Sequence, residues 1–207
     1  MEAAGVAADL HDQHGEDHHG PPAPHFSSAV DPQTLGIYLF IISEVMLFGA
    51  FFTAYFFIRV VQADAWPPAG HDIPVLIAGI NTCILVSSSF TMHWALEGIK
   101  NGNRRAMQAG LLTTFLLGAT FLCVQINEYF HLGWAMHDDA QASIFYGLTG
   151  LHGCHVFIGL CLLAIVTVRS FKGHYSPENH RGVEVPGIYW HFVDIMWIFV
   201  FTSLYIL

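Results

Sequence analysis

Hydrophobic residues in this chain fall into five long runs, at 35–61, 73–96, 107–130, 143–168 and 185–207, separated by short polar segments. Each run reaches or exceeds the roughly 20 residues that a helix needs to cross a bilayer. Inside lipid a spanning segment must satisfy its own backbone hydrogen bonds, so the pattern predicts an all-α, polytopic membrane bundle of five transmembrane helices. The first run, LGIYLFIISEVMLFGAFFTAYFFIRVV, is interrupted by Glu44 about ten residues from its start, a depth of roughly 15 Å. An ionised carboxylate there is costly by several kcal/mol, so Glu44 needs a proton, a partner, or a face turned toward protein or water.

The other runs carry their own polar interruptions. The second, with Pro74 in its first turn, holds Asn81, Ser87, Ser88, Ser89 and His93, residues that hydrogen-bond between membrane helices. In the third, Gln125 and Glu128 share a face near the far end. His152 and His155 lie three apart in the fourth, and His191 and Asp194 repeat that spacing in the fifth. Depth counting puts both pairs in the same central slab as Glu44, and the expectation is one buried cluster in which carboxylates and imidazoles satisfy one another. Phe48, Phe51 and Tyr55 extend the Glu44 face at helical spacing and read as packing.

Composition agrees with a membrane chain: 54% of residues are hydrophobic and 11% charged, against about 25% charged in soluble domains. The net charge of −9 says little about partners, because six of the sixteen acids (Glu2, Asp9, Asp12, Glu16, Asp17 and Asp31) lie before residue 32. No basic patch points to nucleic acid. Residues 1–33 hold His11, His14, His18, His19 and His25 and lack the basic-then-apolar layout of a signal peptide. They are expected to be a retained, disordered, histidine-rich tail ahead of a membrane domain at 34–207; irregular spacing argues against a metal site there. In the first loop, Trp66 and the two prolines after it suit a membrane interface.

Lysines and arginines set the direction. Lys100, Arg104 and Arg105 flank the second loop and Arg169, Lys172 and Arg181 the fourth, while Arg59 alone lies near the first. The positive-inside rule then places the N-terminus in the cytoplasm and the C-terminus outside. Cys83, Cys123, Cys154 and Cys161 all fall within spans without Cys-x-x-Cys spacing and are expected to be small buried residues.

Three readings of the central polar residues stay open on physics alone: hydrogen bonds that fix helix packing, a proton path through Glu44, or a metal or haem held by His152, His155 and His191 with an acid. Gly150, Gly153 and Gly159 beside the histidines leave room for a haem. The repeated Glu-x-x-His pattern of a di-iron bundle is missing.

From Leu35 onward the chain resembles subunit III of haem-copper terminal oxidases, specifically of cytochrome c oxidase, in its five-helix bacterial form. The stretches that carry the resemblance are LFIISEVMLFGAFFTAYF, the WPP of the first loop, QAGLLTTFLLGATFLCVQINEYF, GLTGLHGCHVFIGL and GIYWHFVDIMWIFVFTSLY, in family order. The resemblance implies an accessory subunit of an oxygen-reducing, proton-pumping respiratory complex in a bacterial cell (inner) membrane. Such a subunit binds no haem or copper. It rests on subunit I, which holds the haems and oxygen-reducing centre, while subunit II receives electrons. It supports proton uptake, protects the complex during turnover and holds phospholipids. Small further subunits or a respiratory supercomplex are possible partners.

By position, Glu44 matches the family's buried carboxylate facing subunit I, and His152 and His155 its paired histidines. Arg169 and Lys172 stand where basic residues meet lipid head groups. The seven-span mitochondrial form has two further helices that open a lipid cleft, and residues 1–33 cannot make them. The alternatives within reach are subunit III of a bo-type quinol oxidase, the related accessory protein of nitric oxide reductase, and, outside the family, a membrane b-type cytochrome.

Overall fold

The computed structural model describes residues 32–62, 73–177 and 179–207. Residues 1–31 of the histidine-rich tail and residues 63–72 of the first loop, Trp66 among them, lie outside the described residues, whereas Pro32 and Gln33, expected to be tail, begin the first helix. Five helices follow in order: α1 (Pro32–Gln62), α2 (Val75–Lys100), α3 (Arg104–His131), α4 (Ala140–Phe171) and α5 (Arg181–Phe201), the last continuing into a π-helical turn, Thr202–Ile206. All five are long and apolar enough to cross a membrane. No strand occurs among the described residues.

The helices overrun the apolar runs at several ends, because a helix stops where its caps are rather than where its hydrophobicity ends. The connection between α2 and α3 is the clearest case. Helix α2 runs on to Lys100, and only Asn101, Gly102 and Asn103 turn the chain. Gly102 supplies a φ of 73°, and the Asn103 N–H bonds the Gly98 carbonyl at 2.8 Å. The Asn103 side chain then caps α3 by accepting from the Ala106 N–H at 3.1 Å. Any side chain at Gly98 would stand 2.8 Å from the Met107 backbone nitrogen, so this tight antiparallel hairpin requires glycine there. Asp139 caps α4 in the same manner, accepting from Ala142 at 2.5 Å. Pro74 precedes α2 as its N-cap instead of lying in the first turn. Helix α5 starts four residues earlier than its apolar run, which leaves Pro186 inside it.

Helices α2, α3, α4 and α5 close a ring, α2 against α3 and α5, and α4 against α3 and α5. Helix α1 stands outside that ring, in the groove between α4 and α5. Only 6% of the apolar window of α1 is buried, against 61% for α5, which makes α5 the central helix and α1 the peripheral one.

The ring is centred on Trp190 and Trp197, both fully buried. A Cβ at Gly118 of α3 or Gly159 of α4 would meet the Trp190 ring at 2.5 Å and 2.9 Å, so these glycines form the seat of the indole. The space that Gly159 offered a haem is therefore taken by Trp190. Hydrogen bonds tie α5 to α2 along the same seam: Trp190 Nε1 donates to Ser88 Oγ and Trp197 Nε1 to Thr82 Oγ1, each at 2.9 Å.

Candidate functional site

Glu44 lies one turn from the middle of α1, and His155 lies at the middle of α4. Their side chains meet in the groove: His155 Nε2 is 2.8 Å from Glu44 Oε2. The other ring nitrogen, Nδ1, is 2.8 Å from the Leu151 carbonyl one turn back. A carbonyl oxygen only accepts, so Nδ1 carries a hydrogen and donates it. Exactly one further proton is then needed between Oε2 and Nε2. It sits on the carboxyl as an acid donating to a neutral imidazole, or on the imidazole as a cation donating to a carboxylate. Both states are neutral overall, which is what a site this deep in apolar surroundings demands. Side-chain exposures of 17% for Glu44 and 8% for His155 keep the pair largely out of contact with the surroundings. Phe48, itself fully buried, places its ring 5.0 Å from the imidazole and walls the pair on one side.

The other central polar groups do not join this pair. Asp194 and His191 turn toward α2, where Ser89 Oγ donates to Asp194 Oδ2 and lies 3.2 Å from His191 Nδ1. With its one hydrogen given to the carboxylate, the Ser89 hydroxyl accepts from Nδ1–H. His152 is fully buried between Phe121 and Trp197, with ring centroids 5.8 Å and 4.7 Å away, and neither of its nitrogens has a hydrogen-bond partner. The single cluster expected from depth is thus two clusters and an isolated imidazole. Angle separates what depth brought together. Residues three apart on a helix differ by about 60° around its axis, which aims His152 into the ring and His155 out to α1.

The remaining expectations divide similarly. On α2, Asn81 Nδ2 reaches the Phe121 carbonyl at 3.1 Å, and Ser88 and Ser89 bridge to α5 as described. Ser87 is exposed and bonds only its own helix at Cys83 O, and His93 faces outward 3.6 Å from Glu97. Gln125 and Glu128 are both buried; the Gln125 amide lies beside the Tyr129 and Tyr205 phenols, and neither carboxylate oxygen of Glu128 has a hydrogen-bond partner. Arg169 and Lys172 are exposed at the end of α4, with the Arg169 guanidinium 5.9 Å over the Tyr175 ring. Burial raises the Tyr175 phenol above its ordinary pKa, an effect that Arg169 opposes.

The four cysteines contradict the expectation of burial. Cys83, Cys123, Cys154 and Cys161 are all exposed on the outside of the bundle, where a thiol meets lipid as comfortably as it would meet a core. Sequence reasoning also missed a clamp at the end of α1. Tyr55 donates to the Ser203 carbonyl, while Arg59 donates to Tyr55 at 2.6 Å and to the Leu207 carbonyl. Its one signal is that Tyr55 and Arg59 are spaced i, i+4 on the Glu44 face, because the acceptors on the other helix are backbone atoms. Among the described residues no group of three or more His, Cys, Asp and Glu side chains is arranged to hold a metal.

Five spanning helices, with a carboxyl–imidazole pair in the groove where α1 meets α4, define a multi-pass membrane protein. The family model described as cytochrome c oxidase subunit III matches residues 22–207. The cytochrome c oxidase subunit 3 of Thermostichus vulcanus is 44% identical over 178 residues, spanning 86% of this chain and 88% of that protein. That of a Synechocystis strain is 40% identical over 100% of this chain and 88% of its own length, and that of Papio hamadryas 40% over 82% and 67%. The chain belongs to the cytochrome c oxidase subunit III family and is part of a cytochrome c oxidase complex.

Proposed function

We propose that this chain is the redox-silent accessory subunit III of a respiratory cytochrome c oxidase in a bacterial inner membrane. It rests on the haem-bearing subunit I, near subunit II, and keeps proton uptake into that subunit competent during turnover. In this reading Glu44 is the proton-bearing group and His155 the residue that holds it. The observation that carries the reading is the 2.8 Å contact between them, with Nδ1 of the histidine already committed to the Leu151 carbonyl. A pair that exchanges one proton internally without changing its net charge can relay a proton where an isolated carboxylate would be too costly.

Arg169 and Lys172, exposed beside the end of α4, would take phospholipid phosphates. Haem and copper belong to the partner subunits in this reading.

The test is Glu44→Gln in the assembled oxidase. The amide keeps the shape and still donates to Nε2, but it cannot pass a proton. Assembly should be intact while proton uptake stoichiometry falls or inactivation per turnover rises. Unchanged uptake and unchanged lifetime would reduce Glu44 to a packing residue. For the lipid site, replacing Arg169 and Lys172 together should lower the anionic lipid retained by the purified complex. Equal lipid content by mass spectrometry removes that assignment.

A further inference from the structure

A second polar site lies away from the Glu44 pair, at the end of the bundle where α1 finishes. A recess of about 470 Å³ opens there between the entry to α2 (Ile73, Pro74 and Ile77) and the last turns of α3 (Val124, Asn127, Glu128, His131 and Leu132). Glu128 lines it, yet its residue is only 6% exposed, and both carboxylate oxygens lack a hydrogen-bond partner. Helix α3 has 28 residues, so Glu128 stands about 15 Å from the helix midpoint, at the boundary of a hydrocarbon core about 30 Å thick.

Among the described residues no cation pairs with this carboxylate. Of the seven lysines and arginines, Lys100, Arg104, Arg105, Arg169, Lys172 and Arg181 belong to the opposite end of the bundle. Arg59, the seventh, is engaged with Tyr55 and the Leu207 carbonyl. His131 spends Nδ1 on the Asn127 carbonyl at 2.8 Å. A proton alone does not complete the site either, because the acid O–H still needs an acceptor supplied by whatever fills the recess.

We propose that this recess binds the ammonium head of an amphiphilic amine, with Glu128 as its counter-charge. An ammonium supplies three N–H donors to a carboxylate that has none, and its charge cancels the one that burial penalises. Ile73, Pro74, Ile77, Val124 and Leu132 provide apolar walls for the carbons next to the nitrogen. A divalent metal is the poorer fit, since one carboxylate, one imidazole and one amide fall short of the six or more oxygens that calcium takes and of a closed zinc set. The site is also opposite in kind to the exposed cations at Arg169 and Lys172, which face the other membrane surface and suit anions.

The amine could come from an aminophospholipid of the membrane or from a free alkylamine, and one experiment separates the two. The assembled oxidase, Glu128→Gln and Ile77→Trp are exchanged into detergent. Each is examined by native mass spectrometry with chain-matched phosphatidylethanolamine and phosphatidylglycerol, and with octylammonium against octanol. Wild type should bind an ammonium probe at least about tenfold more tightly than Glu128→Gln, the scale of a close charge pair. Ile77→Trp, which fills the recess and leaves the charge, should lose it too. Preference for the ethanolamine lipid identifies a membrane source, and binding of octylammonium alone identifies a free amine. If wild type binds octanol as well as octylammonium, and both lipids equally, the recess is an apolar slot that does not read charge and the proposal fails; it fails too if none of the probes binds. This comparison needs no variant to fold and is independent of the Glu44 reading.

Discussion

Removing the His155 ring isolates how Glu44 is held. In His155→Leu the apolar volume beside Phe48 stays mostly filled, but Glu44 Oε2 loses the partner it has at 2.8 Å. Breaking a buried pair in a soluble protein costs about 3–5 kcal/mol. Interhelical hydrogen bonds in a bilayer average about 0.6 kcal/mol and reach about 1.7. Glu44 keeps 17% of its side chain exposed, so the value belongs near the upper end of the second range. We expect His155→Leu to cost about 2 kcal/mol and its coupling to Glu44→Leu to be about 1–2 kcal/mol, most of it recovered in the double variant. Glu44→Gln should stay within about 0.5 kcal/mol of wild type, since the amide donates to Nε2 as the acid does. Equilibrium unfolding in mixed micelles, followed by the fluorescence of the buried Trp190 and Trp197, measures all four. A coupling below about 0.3 kcal/mol would mean that the two side chains are only neighbours. A loss in Glu44→Gln as large as in Glu44→Leu would refute the proton count argued from the Leu151 carbonyl.

Other parts of the structure are open to equally direct checks. Ser89→Ala removes the one hydroxyl that donates to Asp194, whose Oδ1 already lacks a partner, and should cost about 1–3 kcal/mol, read as a lower Tm in detergent. Gly118→Ala drives a methyl group to 2.5 Å from the Trp190 ring and should destabilise the bundle by about 1–3 kcal/mol; wild-type stability would show that the indole has another seat. All four cysteines should react in membranes with a lipid-soluble maleimide and poorly with a charged one, whereas a thiol protected from both reagents is buried after all. Arg59→Leu should speed backbone hydrogen exchange over 202–207 while leaving the ring helices protected, and equal exchange would deny the clamp a holding role.

The five spans were legible because lipid imposes a length and a composition that soluble helices do not share. The need of Glu44 for a partner was legible for a similar reason, since depth alone makes a lone carboxylate costly. Which histidine would answer it was not. His152, His155 and His191 lie at comparable depths, and the choice among them depends on which faces of α4 and α5 the ring turns outward. The cysteines were misjudged because hydrophobicity distinguishes core from surface only when the surface is wet. For Cys123 or Cys161 both sides of the helix are apolar. Tyr55 and Arg59 left little trace because their partners are carbonyls at 203 and 207, and every residue has a carbonyl. Helix ends drifted outward from the apolar runs where Asn103 and Asp139 set the true starts.

The place of α1 outside the ring has a consequence for how the chain is made. Of the five described spans it leaves the ribosome first, yet both helices that receive it, α4 and α5, come last. Glu44 and His155 are separated by 111 residues, so at about 5–20 residues per second roughly 6–22 s of translation pass between them. For that interval the nascent helix stands in the bilayer, or beside the insertion machinery, with its acid unanswered. The opening span thus docks last, and a ribosome that stalls before α4 leaves behind an orphan for quality control to find.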